Sequence, residues 1–156
     1  MTKQTKQVVI LRGVPGAGKS TLAQQIIVDA QVKGEKAVAF SSDDYFTTPA
    51  GEYRFDSTQL PEAHASCFRR FLDFLQEETG IAIIDNTNTL VFEMSPYILA
   101  AQAYSFKIQI IRLVCNPSVA AARTFRGATP QMVQKMNDRM ETLPSFYPPE
   151  ETRLTG

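Results

Sequence analysis

Residues 13–21 read GVPGAGKST and follow directly on the apolar run VVIL at 8–11. Gly13, Gly18, Lys19 and Ser20 fall on the spacing G-x-x-x-x-G-K-[ST], a phosphate-binding loop wherever a strand precedes it and a helix follows. Each residue type has a physical reason. Glycines let backbone N–H groups close around a phosphate with no Cβ in the way, and a helix opening near Lys19 turns the positive end of its dipole toward the anion. Pro15, Gly16, Ala17 and Thr21 complete this loop, so the whole segment is read as nucleotide-binding. Lys19 is predicted to bridge the β- and γ-phosphates, and the Ser20 hydroxyl to ligate Mg²⁺.

Carboxylates stand at two further points. Asp43 and Asp44 follow the apolar stretch AVAFS at 37–41, and Asp85 closes the stretch IAIID at 81–85. Group transfer needs a carboxylate to accept the proton of an attacking hydroxyl, whereas hydrolysis needs a residue that positions water. One of the pair is expected to face the γ-phosphate; the other reads equally as a turn or helix cap. Asp85 is placed to reach the metal, directly or through water. Asn86, Thr87 and Asn88 form a polar rim able to bind phosphate or a hydroxyl, or to cap the next helix.

Arg123 and Arg126 lie three apart on a short helix that breaks at Gly127. This spacing puts both guanidinium groups on one face beside a hinge, which suits a lid over phosphates. His64, four residues before Phe68, is expected on an inner helical stripe in a structural role. Arg69 and Arg70 read as a basic rim or a solvated face. Tyr45, Phe46, Tyr53 and Phe55 interleave with Arg54, a composition that either stacks on bases or packs the loop.

These residues need a scaffold that gathers them at one edge. Apolar runs at 8–12, 37–41, 81–85 and 106–114 alternate with helical patterns at 21–33, 60–78 and 92–104, then with helices after Pro117 and Pro130. Such alternation predicts an α/β fold of three layers with a mostly parallel sheet of four or five strands and a small helical lid. Strand ends then carry the Gly-rich loop, Asp43 and Asp85 to the same carboxyl edge. The segment 41–55 breaks every periodicity and is expected as an irregular functional loop. Residues 1–6 are expected to be flexible, and the proline-rich tail 144–156 to wrap over the domain or fray.

The 156 residues suit one domain. Sixteen basic and sixteen acidic residues cancel, so no overall field holds a polyanion, and phosphate chemistry has to be local. The polar start MTKQTKQ has no apolar signal core, and no apolar stretch is long enough for a bilayer, which together read as cytoplasmic. Cys67 and Cys115 make neither a disulfide framework nor a zinc spacing and are expected as core thiols.

The ordered set LRGVPGAGKST, SSDDYF, IIDNTN and RTFRGATPQMVQKM resembles the polynucleotide 5′-hydroxyl kinase-like branch of P-loop kinases, over about residues 7–141. EYRFDSTQLPEAH at 52–64 is similar to kinase-like domains of certain ubiquitin-ligase-binding proteins. The resemblance implies that Asp43 is the general base toward a 5′-hydroxyl and that Arg123 and Arg126 cover the ATP phosphates. It implies ATP and Mg²⁺ as cofactors, a polynucleotide or nucleotide-like acceptor, and a sheet of four strands with the 8–12 strand beside 81–85. One departure is Phe46, where phage-type enzymes carry an arginine that holds a substrate phosphate. A small-molecule kinase and a non-catalytic ATP-binding adaptor remain as alternatives.

Overall fold

The computed structural model describes residues 4–77, 79–124 and 128–156. The apolar runs set its centre. β1 (Lys6–Arg12) lies between β3 (Gly80–Asp85) and β4 (Lys107–Cys115), parallel to both. Alternate residues point to opposite faces of a strand, and here both faces are apolar. Val8, Ile10, Ala82, Ile84 and Ile110 enter one core with Phe71, Phe74 and Leu75 of α2 (Leu60–Gln76) and Met94 of α3 (Val91–Ala103). Val9, Leu11, Ile83, Ile111 and Leu113 enter the other. There they meet α1 (Lys19–Val32), α4 (Pro117–Arg123) and α5 (Pro130–Asp138) through Ala23, Ala30, Ala120 and Val133. Three layers follow, each buried Ile or Leu contributing about 1.5–3 kcal/mol.

With β2 (Ala37–Phe40) and β5 (Glu150–Thr155) at the edges, the parallel sheet has the order β2-β3-β1-β4-β5. The chain runs from β1 to the β2 edge, returns through β3 and crosses over β1 to β4. Winding therefore reverses beside β1 and β3, and ligand clefts of open α/β sheets form at the carboxyl ends of such strands. The register aligns Leu11 with Asp85, which brings the exit of β1 beside the exit of β3. No helix among the described residues is long and apolar enough to cross a membrane.

Three segments differ from the sequence expectation. α1 starts at Lys19, as the phosphate loop requires and two residues before the apolar pattern at 21–33, because Gly18 takes a left-handed conformation (φ 102°) and supplies the N-cap. The 41–55 excursion is partly ordered, with a 3-10 turn at Ser42–Phe46 and an antiparallel bridge between Thr47 and Tyr53. The tail neither frays nor merely wraps, for its last residues add β5. EETRLT carries no apolar alternation because its side chains are mostly exposed, as on a solvated edge strand.

Arg12 explains how that tail is held. Its side chain is fully buried (0% exposed), donating from Nε to Asn88 O (2.8 Å), from one terminal nitrogen to Glu150 (2.5 Å) and from the other to Thr89 O and Glu141 O (3.1 and 2.8 Å). A buried guanidinium demands such saturation, since an unpaired one is strongly destabilising. One side chain thus ties β1 to the β3 exit loop, to Glu141 ahead of the tail and to Glu150 at the start of β5.

Candidate nucleotide-binding and transfer site

A cleft of about 1400 Å³ opens at the carboxyl edge of the sheet. Its floor is the loop between β1 and α1. Gly16 (φ 83°) packs so tightly that a Cβ there would lie 2.0 Å from Ala120 O. Gly13 is similarly confined, with Leu113 O and the Ala17 side chain 3.1 and 3.3 Å from a notional Cβ. Gly13 N donates to Thr87 O at 3.1 Å, so the loop is fastened to the β3 exit. The N-terminus of α1 has no side-chain cap and no acidic residue in its first turn, so its positive dipole end faces the loop. Lys19 is 9% exposed, and its Nζ donates to the Gly13 and Val14 carbonyls at 2.9 and 3.0 Å. Those carbonyls occupy donor directions that phosphate oxygens would take.

The Ser20 hydroxyl donates to Asp85 Oδ2 at 2.8 Å. Burial raises the Asp85 carboxyl above its ordinary range; the Ser20 hydrogen bond and the Lys19 charge lower it, and the Asp43 and Asp44 charges raise it. A hydroxyl beside a carboxylate in want of positive charge fits Mg²⁺, which accepts a few protein oxygens and keeps water and phosphate for the rest. Among the described residues no cluster of three or more His, Cys, Asp or Glu could hold a metal ion.

Asp43 and Asp44 are adjacent in sequence but not in setting. Asp43 lines the cleft, half-buried, and accepts a hydrogen bond from Tyr53 Oη at 3.3 Å. Asp44 stays outside the cleft lining. Its carboxylate closes a capping box with Ser41 and pairs with Arg70 at 3.2 Å. Asp44, also a candidate for substrate binding, thus has one carboxylate oxygen held by Ser41 N–H of the turn and by Arg70 of α2. Arg70 also donates to Ser41 O at 3.0 Å, which fixes the turn that aims Asp43.

The polar rim divides in the same way. Thr87 lines the cleft. Asn86 lines it too but is 8% exposed, with its carbonyl oxygen accepting from Ser42 N–H and Oγ (2.9 and 3.1 Å) and its amide directed at Cys67 Sγ. It thereby locks the β3 exit to the turn carrying Asp43. Asn88 is 1% exposed, sits at φ 49° and donates to Leu11 O at 2.7 Å. The side chain expected at a substrate instead donates to the β1 backbone, and Asn88 is not among the residues that line the cleft. Cys67 and Cys115 are both free and buried. Burial pushes the Cys67 thiol and the Tyr97 hydroxyl bonded to it above their ordinary ranges, so both stay neutral.

Arg123 ends α4, is exposed, and lines the cleft. Arg126 lies outside the described residues. Three contributors were missed in the sequence. His64 is exposed and lines the cleft instead of sitting on the inner stripe. Tyr53 reaches Asp43 from ten residues away. Arg153 to Gly156 of the tail line the far wall, fastened by Thr155 Oγ1 donating to Ala17 O at 2.6 Å. Only the aromatic content of 41–55 hinted at any of these.

Comparison with known proteins places this geometry. Residues 8–141 match the AAA domain family. Human NEDD4-binding protein 2 is 33% identical over 132 residues, covering 82% of this chain and 7% of that protein. The chain spans between 7 and 24% of the length of the first curated relatives it matches. Among solved structures, the Pnkp1/Rnl/Hen1 RNA repair complex aligns with a TM-score of 0.67 at 18% identity, over 89% of this chain and 45% of that one. A gluconokinase from Sinorhizobium meliloti 1021 aligns with a TM-score of 0.60 at 14% identity, over 97% of this chain and 84% of that one. These likenesses carry the fold, and the family match over most of the chain carries the membership: the chain belongs to the AAA domain family.

Proposed function

We propose that the protein is an ATP- and Mg²⁺-dependent phosphotransferase that moves the γ-phosphate of ATP to a hydroxyl, the 5′-hydroxyl of a polynucleotide or of a nucleotide-like acceptor. The single observation that carries this is the shared cleft: Asp43 lines the same cavity as Lys19, Ser20 and Asp85. A pure binder needs no proton acceptor there.

In this reading the loop amides and Lys19 hold the β- and γ-phosphates. Lys19 exchanges its bonds to the Gly13 and Val14 carbonyls for phosphate oxygens. Mg²⁺, when held by Ser20 and Asp85 directly or through water, neutralises charge on the β- and γ-oxygens. The acceptor hydroxyl oxygen attacks the γ-phosphorus, Asp43 takes its proton, the bond to the β-bridging oxygen breaks, and ADP leaves with that electron pair. Tyr53, bonded to Asp43, orients the carboxylate, and Arg123 offers a guanidinium fork to the charge that spreads over the γ-oxygens. Arg126 is proposed to assist it from the same lid.

The test is transfer of label from γ-labelled ATP to a short oligonucleotide with a free 5′-hydroxyl. Label on the 5′ end, lost in Lys19→Ala and strongly reduced in Asp43→Asn, is the expected result. ATP binding without transfer to any hydroxyl would replace this reading with that of an adaptor. Transfer to a small-molecule hydroxyl is a second reading, supported by the likeness to a gluconokinase; a panel of sugars and nucleosides separates it from the first.

A further inference from the structure

The mouth of the cleft beside Asp43 is aromatic. Phe46 is 5% exposed and forms a floor, with the rings of Tyr45, Tyr53 and Phe55 set edge-on to it at centroid distances of 5.4, 6.2 and 5.2 Å. Edge-to-face contacts of this kind orient the outer rings. Tyr53 and Phe55 come out nearly parallel, 11° apart with centroids separated by 6.4 Å. They remain 37% and 54% exposed, and both line the cleft. Backbone bonds hold the segment in a tight reversal: Arg54 N to Phe46 O, Thr48 N to Glu52 O and Gly51 N to Thr48 O, each 2.8 Å. The rings are thus positioned in advance, in the same cleft that Asp43 lines. Tyr53 Oη touches Asp43 itself.

Charge is distributed differently. The lysine and arginines that line the cleft, Lys19, Arg123 and Arg153, belong to the phosphate loop, α4 and β5. Arg54, between Tyr53 and Phe55 in sequence, pairs with Glu52 at 2.9 Å and is not among the residues that line the cleft. A ligand gripped on this side is gripped by its ring, since base–aromatic stacking works on any base and needs no phosphate contact.

We propose that Tyr53 and Phe55, on the Phe46 floor, form a stacking platform for a nucleobase at the acceptor end, so that the hydroxyl accepting phosphate belongs to a base-bearing terminal nucleoside. The inference rests on the transfer reading above. It sets the substrate class by the terminal base rather than by the phosphates of the strand.

The experiment uses a short oligonucleotide carrying 2-aminopurine at its 5′-hydroxyl end, titrated with the protein in the presence of ADP and Mg²⁺, together with transfer kinetics on the same strand and on one with an abasic 5′ residue. Expected are quenching of the terminal base, a KM raised roughly tenfold or more for the abasic end, and a similar loss of affinity in the Tyr53→Leu/Phe55→Leu double variant. Binding of a fluorescent ADP analogue stays unchanged in that variant, and Tyr53→Phe retains the quenching because the ring is kept. Circular dichroism melting verifies that the double variant is folded. Quenching without transfer in the wild type would sink the transfer reading and leave the platform standing. Transfer with equal KM for base-bearing and abasic ends, or terminal binding indifferent to the leucines, overturns the platform; so does the absence of quenching by the wild type.

Discussion

The two walls of the cleft are built on opposite principles. On the phosphate side, Gly13, Gly16 and Lys19 are gripped by backbone: a carbonyl 2.0 Å from any Cβ at Gly16, two carbonyls on the lysine tip, and a hydrogen bond to the Thr87 carbonyl. On the acceptor side, Asp43, Tyr53 and Phe55 stand on a turn and a reversal held by side-chain caps and ring contacts. A backbone cradle recognises what every nucleoside triphosphate shares. Side chains on a surface segment can be exchanged without disturbing a strand, so in the proposed transfer that wall would select the acceptor. The contrast teaches where generic chemistry ends and specificity begins.

Substitutions can break or sharpen this contrast. The largest effect is expected from Lys19→Ala, which lowers transfer by about 10³-fold or more and weakens nucleotide binding as well; label transfer and binding of a fluorescent ADP analogue read the two together. Asp43→Asn should lower kcat by about 10²–10³-fold while leaving nucleotide affinity intact. If Asp43→Asn kept full kcat, the division of labour between the walls would be wrong. Gly16→Ala attacks the cradle through strain and overlap with Ala120, and a loss of about 2–4 kcal/mol in denaturant unfolding is expected.

The smallest effect runs the other way. The Asp85 carboxyl is raised in the folded state from an ordinary value of 3.8. A raised group stabilises the fold while it is protonated in both states, and this contribution is lost as pH climbs through the folded value. At pH 7 without Mg²⁺ the ionised Asp85 is therefore a burden. Asp85→Asn should raise the melting temperature by about 2–4 °C at pH 7, with the gain fading toward pH 4 and on addition of Mg²⁺ to the wild type. A lowered melting temperature at pH 7 would show that the Ser20–Asp85 pair stabilises the empty cleft.

Much of the phosphate wall was legible because it depends on short-range order. Four fixed residues after an apolar run specify loop, helix start and dipole together, and β1, β3 and β4 announce themselves by uninterrupted apolar stretches. The acceptor wall was legible in composition and, for Asp43, through the resemblance that SSDDYF carries. Nothing local separates Asp43, which lines the cleft, from Asp44, which caps the turn and pairs with Arg70 twenty-six residues away. Asn88 looked like a ligand and serves Leu11 of a strand seventy-seven residues earlier. Arg12 read as the last residue of a strand, and its partners at 88, 89, 141 and 150 come from the middle and the far end of the chain.

By itself, then, the sequence determined the α/β alternation and the cradle for phosphate, since both arise from neighbours along the chain whose periodicity and backbone freedom act locally. Tertiary structure alone decided which carboxylate turns inward, which asparagines are consumed as fasteners, and that a polar tail becomes the fifth strand. Those outcomes depend on desolvation and on pairing between residues tens to more than a hundred positions apart, and a buried polar group takes whatever partner the fold brings to it.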